Sequence, residues 1–133
     1  MELARRSGVD IPTDVAFFVD ESGELDEKIT ARGPRVDKPT GEPVYWSDLV
    51  HDKTDKVPFR IWSGILRSDE AIVAVISHEM YELEQLRPYL QKGTMSIDEF
   101  ILQTEPGRAG NYHDQAWDIA DLIVDRMRGD QDQ

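Results

Sequence analysis

The chain contains no cysteine among its 133 residues. Disulfides, thiolate metal sites and thiol nucleophiles are therefore excluded, and any metal ion must be held by histidine and carboxylate. Basic residues are scarce: 15 Lys and Arg stand against 27 Asp and Glu, for a formal charge of −12. This balance disfavours nucleic acid as a partner, because phosphate binding needs a positive surface that displaces counterions. It suits a basic protein partner or a cation, although an acidic surface also serves solubility alone. Long apolar runs are missing too. No stretch approaches the ~20 residues of a membrane-spanning helix, and the opening MELARRSGVD lacks the apolar core of a secretory signal. The expectation is a soluble chain with no membrane association, cytoplasmic or secreted as part of a larger protein. There is no glycine-rich phosphate loop and no GxSxG, so nucleotide binding and a serine-hydrolase elbow lack their motifs. DESGELDE has an acidic rhythm without the spacing of a twelve-residue calcium loop, and reads as a solvated turn.

What is present suffices for one core. A chain of 133 residues with 39% hydrophobic content is most simply one domain, 1–133. It divides into a strand- and loop-rich part (1–66), a helical part (67–128) and a frayed tail (129–133). The first part is punctuated by turn formers, as in SGVDIPTD, ARGPRVDKPTGEP and HDKTDK. Between them VAFFV, PVYWSDLV and VPFRIWSGIL are enriched in aromatic and β-branched residues and predict strands. The second part turns helical. Ser68 is placed to cap a helix through RSDEAIVAVISHEMYELEQLRPYL, which Pro88 closes or kinks; Ser96 caps a short second helix; and YHDQAWDIADLIVDRMR forms a third, ending near Gly129. The fold class is therefore α+β, a small N-terminal antiparallel sheet followed by three C-terminal helices.

At about 100° per residue, Ile72, Ile76, Leu83, Leu86 and Leu90 fall on one stripe of the first long helix, and Glu79 lies near its middle. A carboxylate there needs a cation, a donor network or a proton, since an unpaired buried charge costs several kcal/mol (order of magnitude). His78 and Glu82, four residues apart, border the same stripe and can converge on one point. On the third helix Ala116, Trp117, Ala120, Ile123, Val124 and Met127 form the apolar stripe, and His113 extends it. If these two helices pack together, His78, Glu82 and His113 make a three-ligand site.

The segment HEMYE, His78 to Glu82, preceded by the apolar AIVAVIS, resembles the HExxH helix of zincin metallopeptidases. In that family two histidines at i and i+4 bind zinc, the intervening Glu is general base toward the metal-bound water, and a third ligand comes from further along the chain. The resemblance implies His78 as a ligand, Glu79 as the catalytic base and His113 as the third ligand. Glu82 departs from the pattern, which expects His; glutamate is itself a competent ligand for zinc or manganese. The pairing of SDEAIVAVISHEMYELEQLR with NYHDQAWDIADLIVDRM also resembles an uncharacterised bacterial domain found near the C-termini of large secreted, toxin-like proteins.

Plainer assignments exist for the same residues. His78 and Glu82 also suit an ordinary i,i+4 pair, Glu79 an ion pair with Arg60, Arg67 or Arg87, and His113 a hydrogen bond to backbone. Asp114 and Asp118 project away from the core, His51 falls in a surface turn, and Trp46, Trp62 and Trp117 are expected to fill the interior. Two functions follow. One is a divalent-metal hydrolase, zinc the first choice, with Glu79 acting on a metal-activated water. The alternative is a non-enzymatic acidic module, of immunity or inhibitor type, that neutralises a basic partner.

Overall fold

The computed structural model describes residues 11–50 and 54–131, with side chains through 129; His51 lies outside the described residues. Strand β1, Val15–Val19, is the expected VAFFV, bounded by Asp14 and Asp20. It lies beside β4, Val57–Ile61, and the short β2, Ala31–Arg32, completes a sheet in the order β1-β4-β2. Val57, Phe59 and Ile61 alternate with Pro58 and Arg60, so β4 turns one face into the core. A second, two-stranded antiparallel sheet pairs β3, Pro43–Val44, with β5, Met95–Ser96.

The main sheet is mixed, which corrects the expectation of an antiparallel one. β1 pairs with β4 in parallel, Val15 opposite Val57 and Val19 opposite Ile61; only β2 runs antiparallel to β4. Parallel neighbours need a crossover of a dozen residues or more, and the long turn-rich segment between Asp20 and Lys56 supplies it. Pro58 is accommodated because Val57 N–H donates to Asp14 O on the β1 side at 2.7 Å. The proline nitrogen therefore faces the side where β2 reaches only Arg60 and Ile61. PVYWSDLV also departs from a strand: after two β residues it turns into a single helical turn, α1, Trp46–Leu49, in which the Asp48 carboxylate accepts from Tyr45 N–H at 2.7 Å.

The helical half follows its caps. A 3₁₀ turn, Ser63–Arg67, leads into α2, Asp69–Lys92, where Ser68 Oγ accepts from Ala71 N–H and Asp69 and Glu70 sit at the positive end of the dipole. Pro88 neither ends nor interrupts α2; it lies on an exposed part of the helix, where the carbonyl that loses its partner can reach water, while Leu86 and Leu90 are buried on either side. The helix stops at Gly93, whose φ of 68° suits a residue without Cβ. Helix α3, Ile97–Thr104, is capped by Ser96 as expected, and α4, Tyr112–Gln131, continues through Gly129 rather than stopping there.

Helix α4 packs along α2. The two run antiparallel: Arg128 near the end of α4 forks onto Glu70 at the start of α2, at 2.9 and 2.7 Å, and Tyr81 Oη near the middle of α2 donates to Gln115 Oε1 near the start of α4 at 2.8 Å. Ala116 and Ala120 are fully buried in α4, and small side chains there permit close approach. The stripe Ile72, Ile76, Leu83, Leu86 and Leu90 is buried throughout, as its spacing requires, and packs in one core with β4 and with Val124 and Met127 of α4. The tryptophans do not fill that core. Trp46 and Trp62 are half-buried at its margin and Trp117 is 41% exposed, since the alanines rather than the indole occupy the helix contact. No helix among the described residues is long and apolar enough to cross a membrane.

Candidate metal centre

The helix pair brings His78, Glu82 and His113 to one point. His78 and Glu82 are a helical turn apart on α2, and the carboxylate reaches back so that Oε2 lies 2.6 Å from His78 Nε2. His113 enters from the first turn of α4, with Nδ1 3.2 Å from His78 Nε2 and 3.4 Å from Glu82 Oε2. Among the described residues these three form the group of His, Asp and Glu whose donor atoms are close enough to hold a metal ion, all within 4.8 Å of one another. Side-chain exposure rises from 3% at His78 to 10% at Glu82 and 21% at His113, so the cluster is enclosed by α2 and opens on the α4 side.

The spacing is compatible with a metal ion. Tetrahedral coordination with bonds of ~2.1 Å places neighbouring donors about 3.4 Å apart, and two of the three edges already have that length. The third, between His78 and Glu82, is a hydrogen bond that an ion would open.

The position of His113 depends on Asn111, a buried polar residue just ahead of α4. Its Oδ1 accepts from Asp114 N–H at 2.8 Å, satisfying a free donor of the first turn, while its Nδ2 donates to Leu102 O and Glu105 O at 2.8 and 2.9 Å. The end of α3 and the start of α4 are thereby locked together. This role has a signal in the sequence, since Asn stands immediately before the helical pattern with an acid three residues on.

Burial dominates the electrostatics of the cluster. Burial pushes the Glu82 carboxyl up to about 7, with the neighbouring His113 pulling the other way. Glu79, half-buried, is pushed up to about 8, first by burial and then by the Glu82 carboxylate, with His78 opposing. Burial also lowers the pKa of His78, against a smaller upward effect of Glu79. None of the arginines offered as partners for Glu79 is its ion pair: Arg60 engages Asp20 and Glu24, Arg87 engages Asp14 and Glu84, and Arg67 forms no ion pair among the described residues. Two neighbouring acids that burial holds toward the neutral form thus stand beside an imidazole held toward its own neutral form, and a cation placed among them would favour the ionised carboxylates.

Trp117 completes the surroundings. Its ring centroid lies 4.1 Å from that of His78, tilted by 44°, and 6.3 Å from that of His113, edge-on. The i,i+4 spacing of His113 and Trp117 was the available signal for this contact. Asp114 and Asp118 are exposed, as their projection requires. Searches against protein-family models, curated proteins and solved structures find no match to this chain.

Proposed function

We propose that this protein holds a divalent metal ion on His78, Glu82 and His113, zinc before manganese because imidazole outnumbers carboxylate in the donor set, and that it uses the ion for hydrolysis. The observation that carries the proposal is the meeting of three donor atoms from two helices in one enclosed cluster. Bound there, a divalent ion supplies a Lewis acid. The chain supplies the rest. His78 and Glu82 would fix one side of the site from α2 and His113 would close it from α4, while Glu79, beside both α2 ligands, would take a proton from the attacking water once the charge of the ion had drawn its carboxyl into the ionised form. The substrate class this arrangement suits is a peptide or another acyl compound.

Metal analysis of protein purified without a histidine tag tests the first step. About one equivalent of zinc, and a melting temperature that falls on adding chelator, is expected; saturation at 100 times Kd corresponds to about 2.7 kcal/mol. Metal-free protein with a melting temperature indifferent to chelator overturns the proposal. Glu79→Gln separates binding from hydrolysis, since it should keep the ion and lose turnover of peptide and ester substrates.

One observation favours the alternative function. Asp114, Asp118, Asp121 and Asp125 recur along the solvent-facing side of α4, all exposed, and present a row of carboxylates suited to a basic protein surface. Capture of such a partner that weakens steeply with salt, and is lost when these four are replaced by Asn, would support that function.

A further inference from the structure

A metal-bound imidazole is ordinarily steadied through its second ring nitrogen, which donates to a carboxylate or carbonyl and stops the ring from turning. Among the described residues His78 has no such support: its Nδ1 is buried and no donor or acceptor there lies within hydrogen-bond reach. A ring attached through Nε2 alone can turn about Cβ–Cγ and misdirect its lone pair, so another contact must restrain it. Two rings touch it: His113, itself a candidate ligand, lies edge-on at 4.6 Å between centroids, and Trp117, which is not a ligand, lies closer at 4.1 Å.

Core packing does not account for the tryptophan. Ala116 and Ala120 are the fully buried residues of this part of α4, whereas Trp117 leaves 41% of its surface in solvent. It stands four residues after His113, so the turn of α4 that delivers one candidate ligand also delivers the side chain that rests on another. An indole face is electron-rich, and its attraction for the imidazole grows when the ring takes on positive charge from an ion at Nε2.

We infer that Trp117 is the positioning residue of the metal centre, its indole holding the His78 ring in the orientation that a hydrogen bond at Nδ1 would otherwise fix. This inference rests on the metal-binding function proposed above.

The test compares the full chain with Trp117→Leu, which keeps an apolar side chain but no ring, and Trp117→Phe, which keeps an aromatic face, by titrating each with cobalt(II) and recording the visible spectrum. Trp117→Leu is expected to weaken cobalt binding about 10- to 100-fold, the range typical of lost ligand-orienting contacts, and to shift the ligand-field bands; Trp117→Phe is expected to stay within a few-fold of wild type. Thermal melting of the metal-free proteins provides the control. A merely structural Trp117 would lower the melting temperature of Trp117→Leu yet leave the affinity and spectrum of its folded protein unchanged, and that result overturns the inference while leaving the metal site standing. Wild-type protein that takes up no cobalt overturns the metal site itself, and this role with it.

Discussion

His78 and His113 are 35 positions apart in the chain, yet Nε2 of the first lies 3.2 Å from Nδ1 of the second. Because they come from different helices, the two can be removed with different consequences. His113 is only about one-fifth exposed and contacts both His78 and Glu82, so His113→Ala should cost about 1–2 kcal/mol of folding stability while weakening zinc by more than about 100-fold, beyond the effect of losing an orienting contact. Calorimetric titration alongside urea denaturation reads both. Wild-type affinity in His113→Ala would remove that residue from the ligand set.

The raised carboxyls set a pH dependence. Between pH 4.5 and about 8 the metal-free folded protein keeps a proton on Glu79 that the unfolded chain has released, so stability falls as pH rises through that window. Glu82, pushed up to about 7, adds to the fall below that point. His78 acts in the opposite sense below 6.5, where the unfolded chain takes up a proton that the buried ring resists. Above 6.5 only the carboxyls remain, and the loss from pH 6.5 to 8 should be on the order of 1 kcal/mol. General repulsion among acidic groups contributes a similar slope, and Glu79→Gln isolates the local part: urea midpoints in chelator should fall less steeply in that variant. Equal slopes would show that Glu79 titrates normally.

The close approach of α2 and α4 depends on small side chains. Ala116→Leu or Ala120→Leu inserts volume where none is free and should destabilise by about 1–3 kcal/mol. Any separation of the helices also moves His113 away from His78, so metal affinity should fall with stability. A leucine variant as stable as wild type would show that the helices have slack between them.

Asn111→Ala removes a helix cap together with two donations to carbonyls at the end of α3. The expected loss is about 1–3 kcal/mol. Amide exchange should accelerate first in the initial turn of α4, ahead of the rest of the helix; uniform acceleration would argue that Asn111 acts on the whole fold rather than on that turn.

Much of this was legible in the sequence, for local reasons. Ser68 and Ser96 mark helix starts because a cap acts within one turn, and the buried stripe of α2 follows from a period the helix cannot avoid. His78, Glu82 and His113 were readable as inward-facing from the same period, and their meeting required only that the two longest helices pack. The parallel pairing of β1 with β4 was not legible, because nothing in VAFFV or VPFRI states direction; it depends on a connection whose path is set by distant contacts. Pro88 misleads for a related reason, since its penalty is met at an exposed carbonyl while Leu86 and Leu90 are held by burial. Trp117 fell on the apolar stripe by projection, but its place at the stripe's edge left open whether the indole turned inward or lay across a neighbouring ring.

The register of β1 also bears on synthesis. Val15 finds its partner only at Val57, so at ribosomal rates of about 5–20 residues per second the apolar VAFFV waits roughly 2–8 s before β4 exists. During that interval it is a short, uncharged, sticky segment of the kind that recruits copies of itself. Asp14 and Asp20, which bracket it, then act as gatekeepers for the nascent chain, before either has taken up its bonds in the finished fold.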